Sequence, residues 1–107
     1  MKPLHSKQRA YLRSMANTID PLLHIGKEGV TDAVIAQLDE LLESKELVKA
    51  ACLETAPQTA REACETACSV LGAEPVQCIG RRFVLYRPKK KDPVIVLPAV
   101  RKGRTGR

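Results

Sequence analysis

The sequence contains few aromatic residues: no tryptophan, one phenylalanine and two tyrosines among 107 residues. Domains that stack several bases of a nucleic acid on a β-sheet need exposed rings on that sheet. Phe83 and Tyr86 fall on opposite faces of one predicted strand, so they cannot form such a surface together. The composition therefore disfavours recognition by base stacking on aromatic rings.

Long apolar runs are also missing. Because the chain has no stretch of eighteen apolar residues, no segment is predicted to span a bilayer. Residues 1–16 carry positive charges but lack the apolar core of a secretory signal. We therefore expect a cytoplasmic protein without a membrane partner, and its length is that of a single domain.

The cysteines do not follow a paired zinc pattern, because eleven, three and nine residues separate Cys52, Cys64, Cys68 and Cys78. No metal and no cofactor is predicted. Cys64 and Cys68 share one face of a predicted helix, which leaves a thiol-redox protein as an alternative. The Ala-rich stripe around Cys64 favours buried, unreactive thiols instead.

Neither histidine has the neighbours that catalysis needs. His5 lies near the start of the chain and His24 lies in a predicted strand, and the sequence places no acid or nucleophile beside either. We therefore predict that the protein is not an enzyme. A protein-binding adaptor remains an alternative, with its contact on the acidic face of the second helix (Asp39, Glu40, Glu43) or on residues 94–98.

Negative charge is scarce in the last quarter of the chain. Residues 1–80 contain 8 Lys and Arg against 11 Asp and Glu, a balance of −3, whereas residues 81–107 contain 10 against 1, a balance of +9. Such asymmetry is typical of proteins whose partner carries phosphates, and a solubilising tail is the simpler explanation. We predict a folded domain over residues 1–98 and a basic, flexible tail over residues 99–107.

The apolar spacing predicts three helices and four strands. The first helix is capped by Ser6 and runs to about Asn17, the second is opened by Thr31 and Asp32, and the third starts near Pro57 and ends at Gly72. Strands are predicted over residues 22–25, 47–54, 75–79 and 82–87, with a tight hairpin at Gly80-Arg81.

The predicted order is α-β-α-β-α-β-β. Helical connections between strands favour parallel pairing, whereas a hairpin requires an antiparallel pair. The sequence therefore predicts an α/β fold in which three helices cover a four-stranded mixed sheet.

A loop with two glycines, Gly26-Lys27-Glu28-Gly29 (the GKEG loop), stands between the first strand and the second helix. The start of a helix offers unpaired N–H groups and a partial positive charge, so a flexible loop there suits an anionic backbone. Loops of the form G-x-x-G clamp the nucleic-acid backbone in KH domains. Lys27 adds a cation that can pair with a phosphate. The G-x-x-G pattern alone also occurs in ordinary tight turns between a strand and a helix.

Four stretches of the sequence belong together: SKQRAYLRSMA, HIGKEGVTDAVIAQLDELLESKELVK, CIGRRFVLYRP and the late Leu97-Pro98. In these stretches the sequence resembles the CRM domain, the chloroplast RNA splicing and ribosome maturation domain, in its single-domain bacterial YhbY-type form. The resemblance covers about residues 4–98. It implies a fold similar to the C-terminal domain of translation initiation factor three and binding to ribosomal RNA or to large-subunit precursors.

The resemblance also implies an RNA-binding surface formed by the GKEG loop and flanking basic residues of the first helix and the last strands. We predict a monomer that contacts RNA through Gly26, Lys27, Glu28, Gly29, Lys7, Arg9, Arg13, Arg81, Arg82, Arg87, Lys89, Lys90 and Lys91. Bacterial relatives commonly have glycine where this chain has Glu28, and a carboxylate beside a phosphate is unfavourable.

Overall fold

The computed structural model describes residues 4–90, 93 and 95–98. The helices and strands in these residues are α1 (Ser6–Ala16), β1 (Leu23–Ile25), α2 (Asp32–Lys45), β2 (Leu47–Cys52), α3 (Ala60–Leu71), β3 (Glu74–Ile79) and β4 (Arg82–Tyr86). The sheet order is β1-β2-β4-β3, with β1 and β2 parallel and the other two pairs antiparallel. The predicted α/β fold, with three helices and a four-stranded mixed sheet, is confirmed.

The first and third helices begin at different residues from those predicted. His5, not Ser6, caps α1: its Nδ1 accepts the Lys7 N–H at 3.3 Å, and Gln8 Oε1 accepts the His5 N–H at 3.1 Å. The third helix starts at Ala60 rather than near Pro57, because Thr59 caps it and Glu62 completes a capping box. The predicted Thr31 cap of α2 is confirmed.

The strand limits also move by one or two residues. Strand β2 ends at Cys52 instead of Glu54, since the chain turns after Leu53, where the Ala56 N–H donates to the Leu53 carbonyl at 3.0 Å. Strand β4 ends at Tyr86 instead of Arg87. The two-residue hairpin at Gly80-Arg81 is confirmed, with Gly80 at a positive φ of 58°.

Helices α2 and α3 cover one face of the sheet. The core between them is built from the inward side of each element, with Leu38 and Leu42 from α2 and an alanine and cysteine stripe from α3 packing on Phe83 and Leu85. Phe83 is fully buried, so its ring is unavailable to any ligand.

Helix α1 covers part of the opposite face. Leu12 and Ala16 of this helix pack in a second apolar cluster with Leu47, Val84 and Tyr86 of the sheet. Ile95 and Leu97 pack against the same cluster. The sheet is therefore enclosed on both sides at one of its ends.

Glu46 fastens the chain that follows β4. It is fully buried at a positive φ of 68°. Its two carboxylate oxygens accept the N–H groups of Lys89 at 2.8 Å and Ile95 at 2.7 Å, and its carbonyl accepts that of Arg87 at 2.9 Å. These bonds hold residues 95–98 against the α1 layer, where no strand is assigned to them.

The half of this face next to the hairpin remains open. Residues paired across neighbouring strands point to the same face, which gives a first row of His24, Ala51, Arg82 and Ile79 and a second row of Lys49, Val84 and Gln77. His24, Arg82 and Ile79 are exposed, and Lys49 and Gln77 are half-buried. We call these five residues the open sheet face.

No helix in the part of the chain that the structure describes is long and apolar enough to cross a membrane.

Candidate nucleic-acid interface

The GKEG loop forms a closed turn with an exposed tip. The Gly29 N–H donates to the Gly26 carbonyl at 2.9 Å, and Gly29 adopts a positive φ of 75°. Lys27 and Glu28 are exposed at the tip, whereas Gly29 is buried. The turn therefore presents the Lys27 ammonium group to solvent, but it uses the Gly29 amide internally.

The two glycines have different surroundings. A Cβ at Gly29 would lie 2.7 Å from Oε1 of the flexible Gln58 side chain and 3.1 Å from Pro57 Cγ, so a side chain there is strained by the positive φ and requires its neighbours to shift. A Cβ at Gly26 would meet only Leu53 Cδ1, at the ordinary contact distance of 3.8 Å. Gly29 is thus needed to form the turn, and Gly26 leaves an open approach to the backbone.

The start of α2 is less available to an anion than the sequence suggests. Thr31 Oγ1 accepts the Val34 N–H at 3.2 Å, which satisfies one of the free donors of the first turn. Asp32 adds a negative charge in that turn. Attraction of a phosphate to this end of the molecule therefore depends on side-chain cations more than on the helix terminus.

Hydrogen bonds bring the hairpin and the GKEG loop to the same end of the sheet. The Cys52 N–H donates to the Arg81 carbonyl at 2.7 Å, and the neighbouring Leu53 N–H donates to the Ile25 carbonyl at 2.8 Å. Ile25 leads directly into Gly26. Lys27, Arg81 and Arg82 thus lie at one end of the molecule, which we call the hairpin end, and all three are exposed.

The arginines of α1 lead toward this end along β3. Arg9, Arg13 and Asn17 are spaced four residues apart, so they share one side of the helix. Arg9 Nε donates to the Pro75 carbonyl at 3.4 Å near the start of β3, and Asn17 lines a pocket with Gln77 and Ile79 near its end. Arg13 lies between them and is partly exposed.

Arg87 is not part of this surface. Its Nη1 pairs with Asp39 at 2.8 Å and donates to the Leu71 carbonyl at 3.1 Å, while Nη2 lies 3.7 Å from Glu43 and donates to the Asp39 carbonyl at 3.2 Å. Only 14% of its side chain is exposed. These contacts tie the end of β4 to α2 and α3, and the RNA contact of Arg87 stays a prediction.

The remaining basic residues lie elsewhere. Strand β4 runs away from the hairpin, so Lys89 and Lys90 lie beyond its far end, and Lys7 is in the first turn of α1. Lys91 and the predicted tail, residues 99–107, lie outside the described residues. The structure therefore brings together Gly26–Gly29, Arg81 and Arg82, with Arg13 approaching along α1, and does not bring Lys7, Lys89 or Lys90 to them.

The thiols are poorly suited to redox chemistry. Cys52, Cys64 and Cys68 are buried and Cys78 is exposed. The hydrogen bond between Cys64 and Cys68, whose Sγ atoms lie 4.0 Å apart, and burial raise the pKa of Cys64. Burial and the neighbouring Cys64 raise the pKa of Cys78 to about 11. A reactive cysteine needs a lowered pKa, so the alternative that uses Cys64 and Cys68 loses its chemical basis.

The adaptor alternative also loses support. Two of the three predicted acidic contacts, Asp39 and Glu43, are paired with Arg87. Ile95 and Leu97 of the other predicted contact pack on the α1 layer. Within the described residues no group of three or more His, Cys, Asp or Glu side chains is arranged to hold a metal.

Lys49, Gln77 and Asn17 were missed by the sequence analysis. With Ile79, Arg82 and Val84 they line an open pocket of about 140 Å³ beside the hairpin. The alternation in β2 places Lys49 on the same side as Leu47 and Ala51, but only the end point of α1 decides whether that side is covered there. The sequence does not specify that end point relative to the sheet.

Comparisons with known proteins agree on one family. The profile of the CRS1/YhbY (CRM) domain matches residues 4–87. The chain is 36% identical to the probable RNA-binding protein YqeI of Bacillus subtilis, over 89% of this chain and 99% of that protein. It is 30% identical to an RNA-binding protein of Haemophilus influenzae, over 88% and 95%. The solution structure of the Staphylococcus aureus protein SAV1595 superposes with a TM-score of 0.75 at 41% identity, over 89% of this chain and 99% of that one.

Proposed function

The chain belongs to the CRS1/YhbY (CRM) domain family, and we propose that it binds RNA through the hairpin end of the sheet. The Lys27 ammonium group and the guanidinium groups of Arg81 and Arg82 are the phosphate ligands at this end. The open approach to Gly26 lets the RNA backbone come close to the turn. The single observation that carries the proposal is that these three exposed cations lie at the same end of the sheet as the exposed turn.

We place the RNA within the large ribosomal subunit or its precursors, as the resemblance to the ribosome-maturation domain implies. In this proposal the protein acts in the cytoplasm as a monomer that holds structured RNA, without chemistry of its own. The supporting observations are the names of two relatives as RNA-binding proteins and the positive charge of the last 27 residues. Cations on a folded surface hold RNA mainly through its phosphates, so recognition depends on shape.

Crosslinking in cells tests the partner. We expect the protein to recover fragments of large-subunit precursors, and the double variant Lys27→Ala/Arg82→Ala to recover markedly less. The matched control is Lys45→Ala/Arg61→Ala, which removes two exposed cations from α2 and α3. Equal recovery by all three proteins would contradict the proposed surface, and recovery of unrelated RNA would contradict the ribosomal assignment.

Binding in vitro tests the mode of contact. Lys27→Ala should weaken binding to many RNAs by a similar factor, because a phosphate contact carries no sequence information. It should also reduce the slope of log affinity against log salt by about 1. A loss confined to one RNA sequence would instead indicate that Lys27 reads a base.

A further inference from the structure

The open sheet face has no covering element in the described residues, although it continues the hairpin end. His24 stands two residues before Gly26, and Arg82 follows Arg81 directly. The first row crosses from His24 on β1 to Ile79 on β3, a span of three strand spacings or about 14 Å. A strand of RNA held at the GKEG loop and at Arg81 therefore runs along the edge of this face.

The pocket on this face is lined by apolar, amide and cationic side chains. Its apolar part is formed by two side chains, the buried Val84 and Ile79, which is 64% exposed. Asn17 and Gln77 add side-chain amides, which both donate and accept hydrogen bonds. Lys49 and Arg82 add two cations, and none of the lining residues is acidic.

Resting on the proposed function, we infer that this pocket holds an unpaired nucleotide of the bound RNA. The base lies on Ile79 and against the Arg82 guanidinium, the amides of Asn17 and Gln77 bond to its edge, and Lys49 faces the adjoining phosphate. Unpaired bases are commonly held by apolar or guanidinium planes together with groups that bond to their edges. No aromatic ring takes part, because none lines the pocket and both aromatic residues of β4, Phe83 and Tyr86, are buried.

Size and charge favour this occupant over a protein or a metabolite. A pocket of about 140 Å³ is below the range of about 300–1,000 Å³ that whole small-molecule ligands occupy. It suits one ring system that is part of a larger ligand held elsewhere. The two cations without an acid complement a ligand with a phosphate, and the GKEG loop adjoins the same end of the sheet.

The experiment compares RNA with and without a base. A structured RNA hairpin with an unpaired loop is matched with one of the same length in which the loop nucleotides are abasic, so that the phosphates are kept. We expect the wild-type protein to bind the complete RNA about threefold to tenfold more tightly than the abasic one. Ile79→Ser and Gln77→Ala should each reduce this ratio toward one while leaving the affinity for the abasic RNA unchanged.

Matched controls lie away from the pocket. Val70, on α3, is 62% exposed and gives Val70→Ser as the counterpart of Ile79→Ser, and exposed Gln37 on α2 gives Gln37→Ala. Both should keep the wild-type ratio, and circular dichroism and thermal unfolding establish that all four variants are folded.

The outcomes separate the two proposals. Equal binding of complete and abasic RNA by the wild-type protein, with a loss on Lys27→Ala, would overturn the nucleotide pocket and leave the proposed function standing. The same follows if Ile79→Ser lowers both affinities equally. Absence of binding to either RNA would overturn the proposed function itself.

Discussion

Single side chains at the tip of the GKEG loop set the local charge. Glu28 is exposed beside Lys27, and Asp32 follows in the first turn of α2, so two carboxylates lie near the proposed phosphate path. At a surface, each such charge is repelled only weakly and the repulsion is screened by salt. We therefore expect Glu28 to lower the affinity for RNA without preventing binding.

Replacing Glu28 tests this balance. Glu28→Gln keeps the shape of the side chain and removes its charge, so we expect binding about twofold to threefold tighter at low salt and a smaller gain at 0.5 M salt. Titration of the RNA at both salt concentrations measures it. Glu40→Gln, an exposed change on α2, is the control and should leave affinity unchanged. An unchanged affinity for Glu28→Gln would show that the carboxylate faces away from the RNA.

Arg87 tests the opposite case, a predicted RNA ligand that the structure assigns to the fold. The ion pairs contribute little because 56% of the Asp39 side chain and 43% of the Glu43 side chain are exposed. The hydrogen bonds to the Leu71 and Asp39 carbonyls contribute more. Arg87→Ala should lower the free energy of unfolding by about 1–2 kcal/mol, measured by urea denaturation.

The RNA affinity of the folded Arg87→Ala protein should stay within about twofold of wild type, since a surface far from the site adds little. Arg87→Lys should recover only part of the stability, because an ammonium group cannot bond to two carbonyls in the geometry of the guanidinium fork. A stable Arg87→Ala protein that has lost RNA affinity would return Arg87 to the RNA-binding surface.

At the scale of elements, the GKEG loop divides its functions between its glycines. Gly29→Ala should destabilise the protein by about 1–2 kcal/mol, because a side chain there is strained at the positive φ and meets Gln58. Gly26→Ala should change stability by less than about 0.5 kcal/mol but weaken RNA binding, because its methyl group obstructs the approach of the backbone. Thermal unfolding and RNA titration of both variants separate the two effects.

The opposite result would be informative. If Gly26→Ala binds RNA as tightly as the wild-type protein, the phosphates do not approach the turn at that residue. The proposal would then rest on Lys27, Arg81 and Arg82 alone.

Element order could be predicted because it depends on local signals. Thr31 precedes a segment whose apolar residues recur about every 3.6 positions, and Gly72 follows another such segment, so the two residues mark a helix start and a helix end. Gly80-Arg81 lies between two segments of alternating apolar residues and indicates a hairpin. Each signal can be interpreted without reference to the rest of the chain. The cap at His5 was missed because histidine is an uncommon cap, and its role depends on the reciprocal bond that the His5 N–H donates to Gln8 Oε1. Element type was thus encoded locally, and exact limits depended on side-chain bonds.

The candidate site could be predicted only in part. The exposed turn with Lys27 follows from the sequence pattern. The strand pairing that places Arg81 at the same end of the sheet as this turn does not follow from it. Arg87 looks like Arg82 in the sequence, yet the acidic face of α2 takes it out of the surface. The role of Glu46 could not be predicted from the sequence. It accepts hydrogen bonds from the N–H groups of residues 89 and 95, and no sequence pattern indicates that these residues return to the start of β2.

At the scale of the whole molecule, positive charge is concentrated at the hairpin end and, in the sequence, in residues 99–107. The hairpin end carries Lys27, Arg81 and Arg82, and residues 99–107 add Arg101, Lys102, Arg104 and Arg107 without an acid. Each phosphate neutralised on single-stranded RNA contributes about −0.7 to the slope of log affinity against log salt. The slope therefore measures how many cations of the protein neutralise RNA phosphates.

We expect affinity for RNA to fall steeply between 50 and 300 mM salt in the complete chain. Removing residues 99–107 should make the slope shallower by at most about 3, the contribution of four cations, while leaving it clearly negative because the folded surface is retained. Lys27→Ala in the shortened protein should reduce the remaining slope further. A salt response that disappears when these residues are removed would place the RNA on the end of the chain alone, and the hairpin end would then have no part in binding.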